Sequence, residues 1–174
     1  MGEPIRFSIR RHAHSRTLEA ADLRPLCMES SRPASDTARA MSEANVEIVR
    51  RAAEVFNERG IAGAVTAELF ADEVEFHEPP EQPAPRSARG REEVRQLFGE
   101  FDAAWAEHKS DPQEFRALDD ERVLVFSVER FKGRDGIAVD APGAAIFTVR
   151  DGKIVGWQAF WDRQSALEAA GLSQ

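Results

Sequence analysis

The chain contains no tyrosine and a single cysteine, Cys27. Without tyrosine there is no phenol to serve as a proton donor, which narrows the acid–base chemistry open to it. A lone cysteine cannot form an internal disulfide, and no Cys-x-x-Cys pair or mixed Cys/His zinc spacing occurs, so neither a metal nor another cofactor is expected. No apolar run approaches the roughly 20 residues of a membrane span. The N-terminal arginines are not followed by an apolar stretch, which argues against a secretory signal. The expected location is the cytoplasm, where reduced thiols are the rule.

Positive charge is also scarce over most of the chain. The net charge is −8, unevenly divided: residues 1–40 hold seven Arg against five acids, and residues 41–174 hold 16 basic against 26 acidic side chains. An acidic body repels the phosphates of nucleic acid and the anionic surface of a membrane, so neither is an expected partner.

What is present is a good supply of core residues, 42% hydrophobic with 11 Phe among 174 residues, which suits one domain plus an extension. Residues 1–42 show no sustained period, and they read as a disordered extension. Met41, which opens the ordered pattern, is an alternative translation start. His12 and His14, in this extension, read as a fortuitous pair. The domain proper is expected over residues 43–174.

A first helix is predicted from about Glu43 to Arg59, with Val46, Val49, Ala53 and Phe56 at helical spacing. Gly60 is its expected stop, and a short helix from Ile61 to Phe70 follows. Val74–Glu78 reads as a strand. The stretch Pro79–Pro85 reads as a loop, because its four prolines remove ladder donors. A helix is predicted from Gly90 to about His108, with an apolar face of Val94, Leu97, Phe98, Phe101 and Trp105. Four strands should follow at Gln113–Leu118, Arg122–Phe131, Val139–Arg150 and Lys153–Trp161. Asp151-Gly152 forms the last hairpin turn, since both residues tolerate positive φ. Asp162 should cap a final helix from Arg163 to Ala170, with Gly171 ending it. Helices, a strand, a helix and then an antiparallel meander make an α+β pattern, with about three to four helices packed on one face of a curved sheet.

Four segments carry a resemblance to a known family. Asn45–Asn57 looks like its opening helix, Leu69–Pro79 like its first strand, Arg89–Val94 like the start of its long helix, and Phe147–Val155 like its final hairpin. With the closing stretch Trp161–Gly171, the region from Val46 to Leu172 resembles the SnoaL-like (polyketide cyclase-like) branch of the nuclear transport factor 2-like superfamily. The resemblance implies a cone-shaped α+β fold with a cavity on the concave sheet face, a small apolar ligand and a homodimer. It does not imply a reaction, since this superfamily houses isomerases, cyclases, hydrolases and pure binding proteins.

Comparison with the ketosteroid isomerase branch implies which strand parity lines the cavity. Val125, Ser127 and Glu129 would face in, together with Ala145, Phe147, Trp157, Ala159 and Trp161, with Phe101 and Trp105 contributed by the helix. Trp157, Ala159 and Trp161 share one face of a strand, and the small Ala159 between two indoles leaves either a slot for a flat ligand or room for a helix residue such as Phe101 to dock. In that branch a general base precedes a proline at the end of the first strand, and Glu78 occupies the matching position before Pro79. A one-residue slip would turn His77 inward instead. His77, Glu78 and Glu129 are thus the candidate proton-transfer residues of a cofactor-independent enzyme of isomerase, cyclase or hydrolase type. The isomerase oxyanion donors are missing, with alanine at the matching positions Ala52 and Ala145. The Asp–Arg–Asp arrangement of epoxide hydrolases loses support because Arg130 has the opposite parity to Glu129. The alternative function is a non-catalytic ligand-binding or dimerisation module.

Overall fold

The computed structural model describes residues 34–172. Most of the predicted extension, with His12, His14 and Cys27, lies outside the described residues. Helix α1 spans Ala34–Ala64, strand β1 Phe70–His77, β2 Ser87–Arg89, helix α2 Arg91–Ala104, β3 Glu107–Ala117, β4 Arg122–Lys132, β5 Ala138–Arg150, β6 Lys153–Phe160 and helix α3 Arg163–Ala169. The six strands form one sheet in the order β2-β1-β6-β5-β4-β3. The β1–β6 pair is parallel and every other pair antiparallel.

The strands sort their side chains by parity, and this builds two apolar layers. Val123 and Val125 of β4, Phe147 and Val149 of β5 and Trp157 and Ala159 of β6 point toward α1 and α2, joined by Ile154, which the irregularity in the β5–β6 register brings to the same side. The alternate residues Leu124, Phe126, Ile146 and Phe160 pack with Ala166 and Ala170 at the C-terminal helix. The expectation of helices on one face therefore describes α1 and α2, while α3 packs on the opposite parity. Asp162 caps α3, accepting the backbone N–H of Ser165 at 2.8 Å.

Several boundaries differ from the sequence reading, among them the start of β3, which lies at Glu107 rather than Gln113. Helix α1 begins at Ala34, nine residues before the predicted start at Glu43, so residues 34–42 are helical rather than part of the extension. Gly60 breaks α1 by its positive φ of 69°, as predicted, but the turn of helix after it ends at Ala64. Phe70 is already in β1 because Leu69 accepts a hydrogen bond from Ile154 of the neighbouring strand. Helix α2 ends at Ala104 rather than His108, with Trp105 in extended conformation. The N–H of Ala106 then bonds the carbonyl of Lys132, which draws Glu107 and His108 into the ladder of β4. The short strand β2 is absent from the sequence reading. It pairs with β1 as Phe76↔Ala88, and three residues are too few to show a period.

Two contacts fasten α1 to the β3–β4 turn. Ser42 Oγ donates to the carbonyl of Asp119 and Asn45 Nδ2 to that of Asp120, at 3.2 and 2.8 Å. Residues 36–41 are exposed. A chain beginning at Met41 keeps both contacts, so its thermal unfolding midpoint should stay within a few degrees of the full chain. A large drop in a calorimetric scan would mean that the preceding segment packs on the domain.

The acidic surface is tied down by neighbouring cations. Desolvation opposes ionisation of Asp119, but hydrogen bonds from the Arg122 guanidinium and from the N–H groups of Glu121 and Arg122 hold its carboxyl below the usual range. Hydrogen bonds from Arg163 and Arg116 do the same for Glu114. A depressed folded-state value adds stability at neutral pH that disappears as the pH falls through it.

Candidate functional site

Between the inner sheet face and helices α1 and α2 lies a cavity of about 180 Å³. Its walls are chiefly apolar, and it lies below the ~300 Å³ typical of drug-sized ligand pockets. Among the described residues, the titratable side chains lining it are Glu78, His108 and Glu129.

Glu129 collects three hydrogen bonds. His108 Nε2 lies 2.9 Å from its Oε2. The hydroxyls of Ser110 and Ser127 both donate to its Oε1, at 2.8 and 2.5 Å. All four side chains line the cavity. Strand pairing brings them together: Ser110 is opposite Glu129 across the β3–β4 ladder, His108 is opposite Phe131, and Ser127 lies two residues from Glu129 on one face. The side chains of His108 and Glu129 are only 11% and 16% exposed, so their bond is shielded from water.

The surroundings hold this group in place. The His108 ring stacks on Phe131 at 4.4 Å and meets the edges of Phe56 and Phe101 at 5.0 and 5.3 Å. Its Nδ1 is buried without a hydrogen-bond partner. Asn57 of α1 grips the strand beside it, donating to the carbonyl of Ser110 at 2.7 Å and accepting its N–H at 2.9 Å. Gly143 of β5 leaves the space that Glu129 occupies. A Cβ there would sit 2.8 Å from Glu129 Cγ and 3.1 Å from its Oε1. Near the cluster, burial pushes the Asp102 carboxyl up, while the charge of His108 and the N–H of Ala62 pull it back down.

Glu78 and His77 fall on opposite sides of β1. Glu78 lines the cavity, and its side chain is 11% exposed. It is clasped by Arg86, whose backbone N–H donates to Oε2 and whose guanidinium donates to Oε1, both at 2.9 Å. Arg86 also pairs with Glu100 at 2.8 Å, and the two carboxylates hold the guanidinium above its ordinary value. His77 is exposed and reaches toward Glu75 in a groove on the outer sheet face. The register of β1 therefore corrects the inward option for His77.

Phe101, Val125, Ser127, Ala145, Phe147, Trp157, Ala159 and Trp161 all line the cavity. Trp105 does not, because α2 ends before it and its ring packs on Phe131 at 4.9 Å. Ala52 and Ala145 line the wall without donors. Arg130 lies outside and pairs with Asp111 at 2.7 Å. Sequence reasoning missed His108 and Ser110, because His108 was assigned to a helix end and Ser110 to the connection after it. Alternation could not have found them: Phe115 lines the cavity, and the irregularity between Pro112 and Glu114 switches the inward parity, so that Ser110 and His108 face in as well.

The sequence profile of the SnoaL-like domain family matches residues 49–157. A search of curated protein sequences finds no match. Among solved structures, an NTF2-like protein of unknown function from Burkholderia pseudomallei is 20% identical, with a TM-score of 0.59 over 72% of this chain and 95% of its own. TerC, co-crystallised with polyporic acid, is 19% identical, with a TM-score of 0.59 over 74% of this chain and 98% of its own. A putative SnoaL-like polyketide cyclase from Jannaschia sp. is 17% identical, with a TM-score of 0.56 over 76% of this chain and 94% of its own. At these identities the likeness is one of fold. Among the described residues, no helix is long and apolar enough to cross a membrane.

Proposed function

The chain belongs to the SnoaL-like domain family, and from that premise we propose that it binds a small, largely apolar molecule and moves a proton at that molecule's polar end. The observation that carries this reading is the Glu129–His108–Ser110–Ser127 group at one wall of an otherwise apolar cavity. A carboxylate and an imidazole sharing a hydrogen bond can divide the roles of proton acceptor and relay. Glu129 is the acceptor in this reading and His108 the relay. Glu78, clasped by Arg86, closes the cavity rather than acting as the base.

The test is a thermal-shift screen of neutral and charged aromatic metabolites against the full chain, followed by tryptophan fluorescence. A ligand that binds only the folded state raises the midpoint in proportion to the logarithm of its concentration. Trp157 and Trp161 line the cavity, so a true occupant should also change the emission. A screen with no stabilising compound would count against a ligand cavity. One specific feature favours a purely binding role without turnover: Glu129 already accepts three hydrogen bonds.

A homodimer through the outer sheet face is the accompanying proposal. It rests on the resemblance and on a groove there lined by Glu73, Glu75, Arg89, Arg122 and Arg150, charges of both signs that a second copy could match. Light scattering at micromolar concentration should give twice the chain mass. A monomer mass would defeat it.

A further inference from the structure

We infer that the polar end of the cavity selects the protonated amine of a lipophilic amine, in preference to a neutral hydroxyl or a carboxylate. This deepens the proposed function and rests on that reading of the cavity as a ligand site.

The argument is a count of donors and acceptors. An ionised carboxylate accepts only, and a hydroxyl has one proton and two lone pairs. Ser110 and Ser127 both spend their protons on Glu129 Oε1, and His108 Nε2 directs its proton to Oε2. These three donors are therefore consumed within the group. What remains toward the cavity is a set of acceptors: lone pairs of Glu129 and of the two hydroxyls. An ammonium group offers three donors and no acceptor, which is the complement of that set. A ligand carbonyl or carboxylate would need donors, which the two hydroxyls and His108 Nε2 no longer supply.

Charge points the same way. Among the described residues, no lysine or arginine lines the cavity. The titratable groups that face it are Glu78, neutralised by Arg86 from outside, and the Glu129–His108 pair. The whole chain carries a net charge of −8, so its overall field attracts cations and repels anions. The remaining walls are rich in phenylalanine and tryptophan, whose ring faces attract cations. The small volume suits one aromatic ring and a short linker.

The test uses three probes of one shape on the full chain: phenethylamine, phenethyl alcohol and hydrocinnamate, with affinities from calorimetry at neutral pH. The amine should bind about ten-fold or more tightly than the alcohol, the worth of one charge-assisted hydrogen bond. Hydrocinnamate should bind most weakly. Glu129→Gln should erase the preference for the amine over the alcohol. If that variant does not fold, the ranking of the three probes on the unaltered chain decides by itself. Alcohol binding equal to amine binding, or tighter binding of the carboxylate, would overturn the inference and leave the ligand cavity standing. Failure of all three probes, together with a blank metabolite screen, would overturn both.

Discussion

Replacing Trp157 with alanine should destabilise the protein by roughly 3–5 kcal/mol, the usual cost of emptying a large aromatic site in a core. The ring is 6% exposed. It meets Phe70 at 5.7 Å, Phe76 at 4.9 Å, Phe98 at 5.9 Å and Phe147 at 6.2 Å, so it joins strands β1 and β5 to helix α2. Against a total stability of about 5–15 kcal/mol this is a large fraction. The unfolding midpoint should fall by roughly 6–20 °C. Trp157 thus serves the core first and the cavity wall second. Trp161 provides the contrast. It also lines the cavity, but it is 36% exposed and follows the end of β6. Trp161→Ala should leave the midpoint almost unchanged and weaken any ligand that touches the indole by about 1–3 kcal/mol. Equal loss of stability in the two variants, measured by urea denaturation, would contradict this division.

On the proposed reading, Glu129→Gln should remove proton transfer while sparing the fold. The amide has nearly the same shape, and the hydroxyls of Ser110 and Ser127 can still donate to its oxygen. It cannot accept a proton, so turnover of a substrate should fall by about 10²–10⁴-fold, the range for loss of a general acid–base group. Gly143→Ala approaches the same point without changing the carboxylate. The new Cβ would lie 2.8 Å from Glu129 Cγ and 3.1 Å from Ser127 Oγ, so Glu129 must swing away from its partners. A fall in turnover in both variants, with circular dichroism unchanged, is the expected pair of results. Full activity in Glu129→Gln would dismiss Glu129 as the proton acceptor, and full activity in Gly143→Ala would dismiss the need for its exact placement.

Much of the architecture was legible in the chain itself. Alternation in Arg122–Phe131 and Val139–Arg150 and the Asp151-Gly152 turn are local signals, and β4, β5 and β6 begin and end within one residue of where those signals put them. Gly60 and Gly90 take positive φ where the helix stop and helix start were read. The period of two groups Val125, Ser127 and Glu129 on one face of β4 and Trp157 and Ala159 on one face of β6; that these faces line the cavity was an implication of the resemblance, and all five residues do line it.

The position of His108 was not legible, because local signals compete there. The apolar helical spacing that begins at Val94 runs through Trp105, and nothing nearby announces that the backbone turns extended. The bond from Ala106 to Lys132 decides it, between residues 26 apart in the chain. The choice between His77 and Glu78 was likewise closed to local reasoning, since a strand's pattern fits either face until its neighbours set the register. Pairing of Phe76 with Trp157 and with Ala88 sets it, turning Glu78 inward and His77 out. Composition and period determine which residues form strands and helices. Which side chains meet across them is decided only when distant strands pair, because hydrogen-bond register is a property of two segments and is written in neither alone.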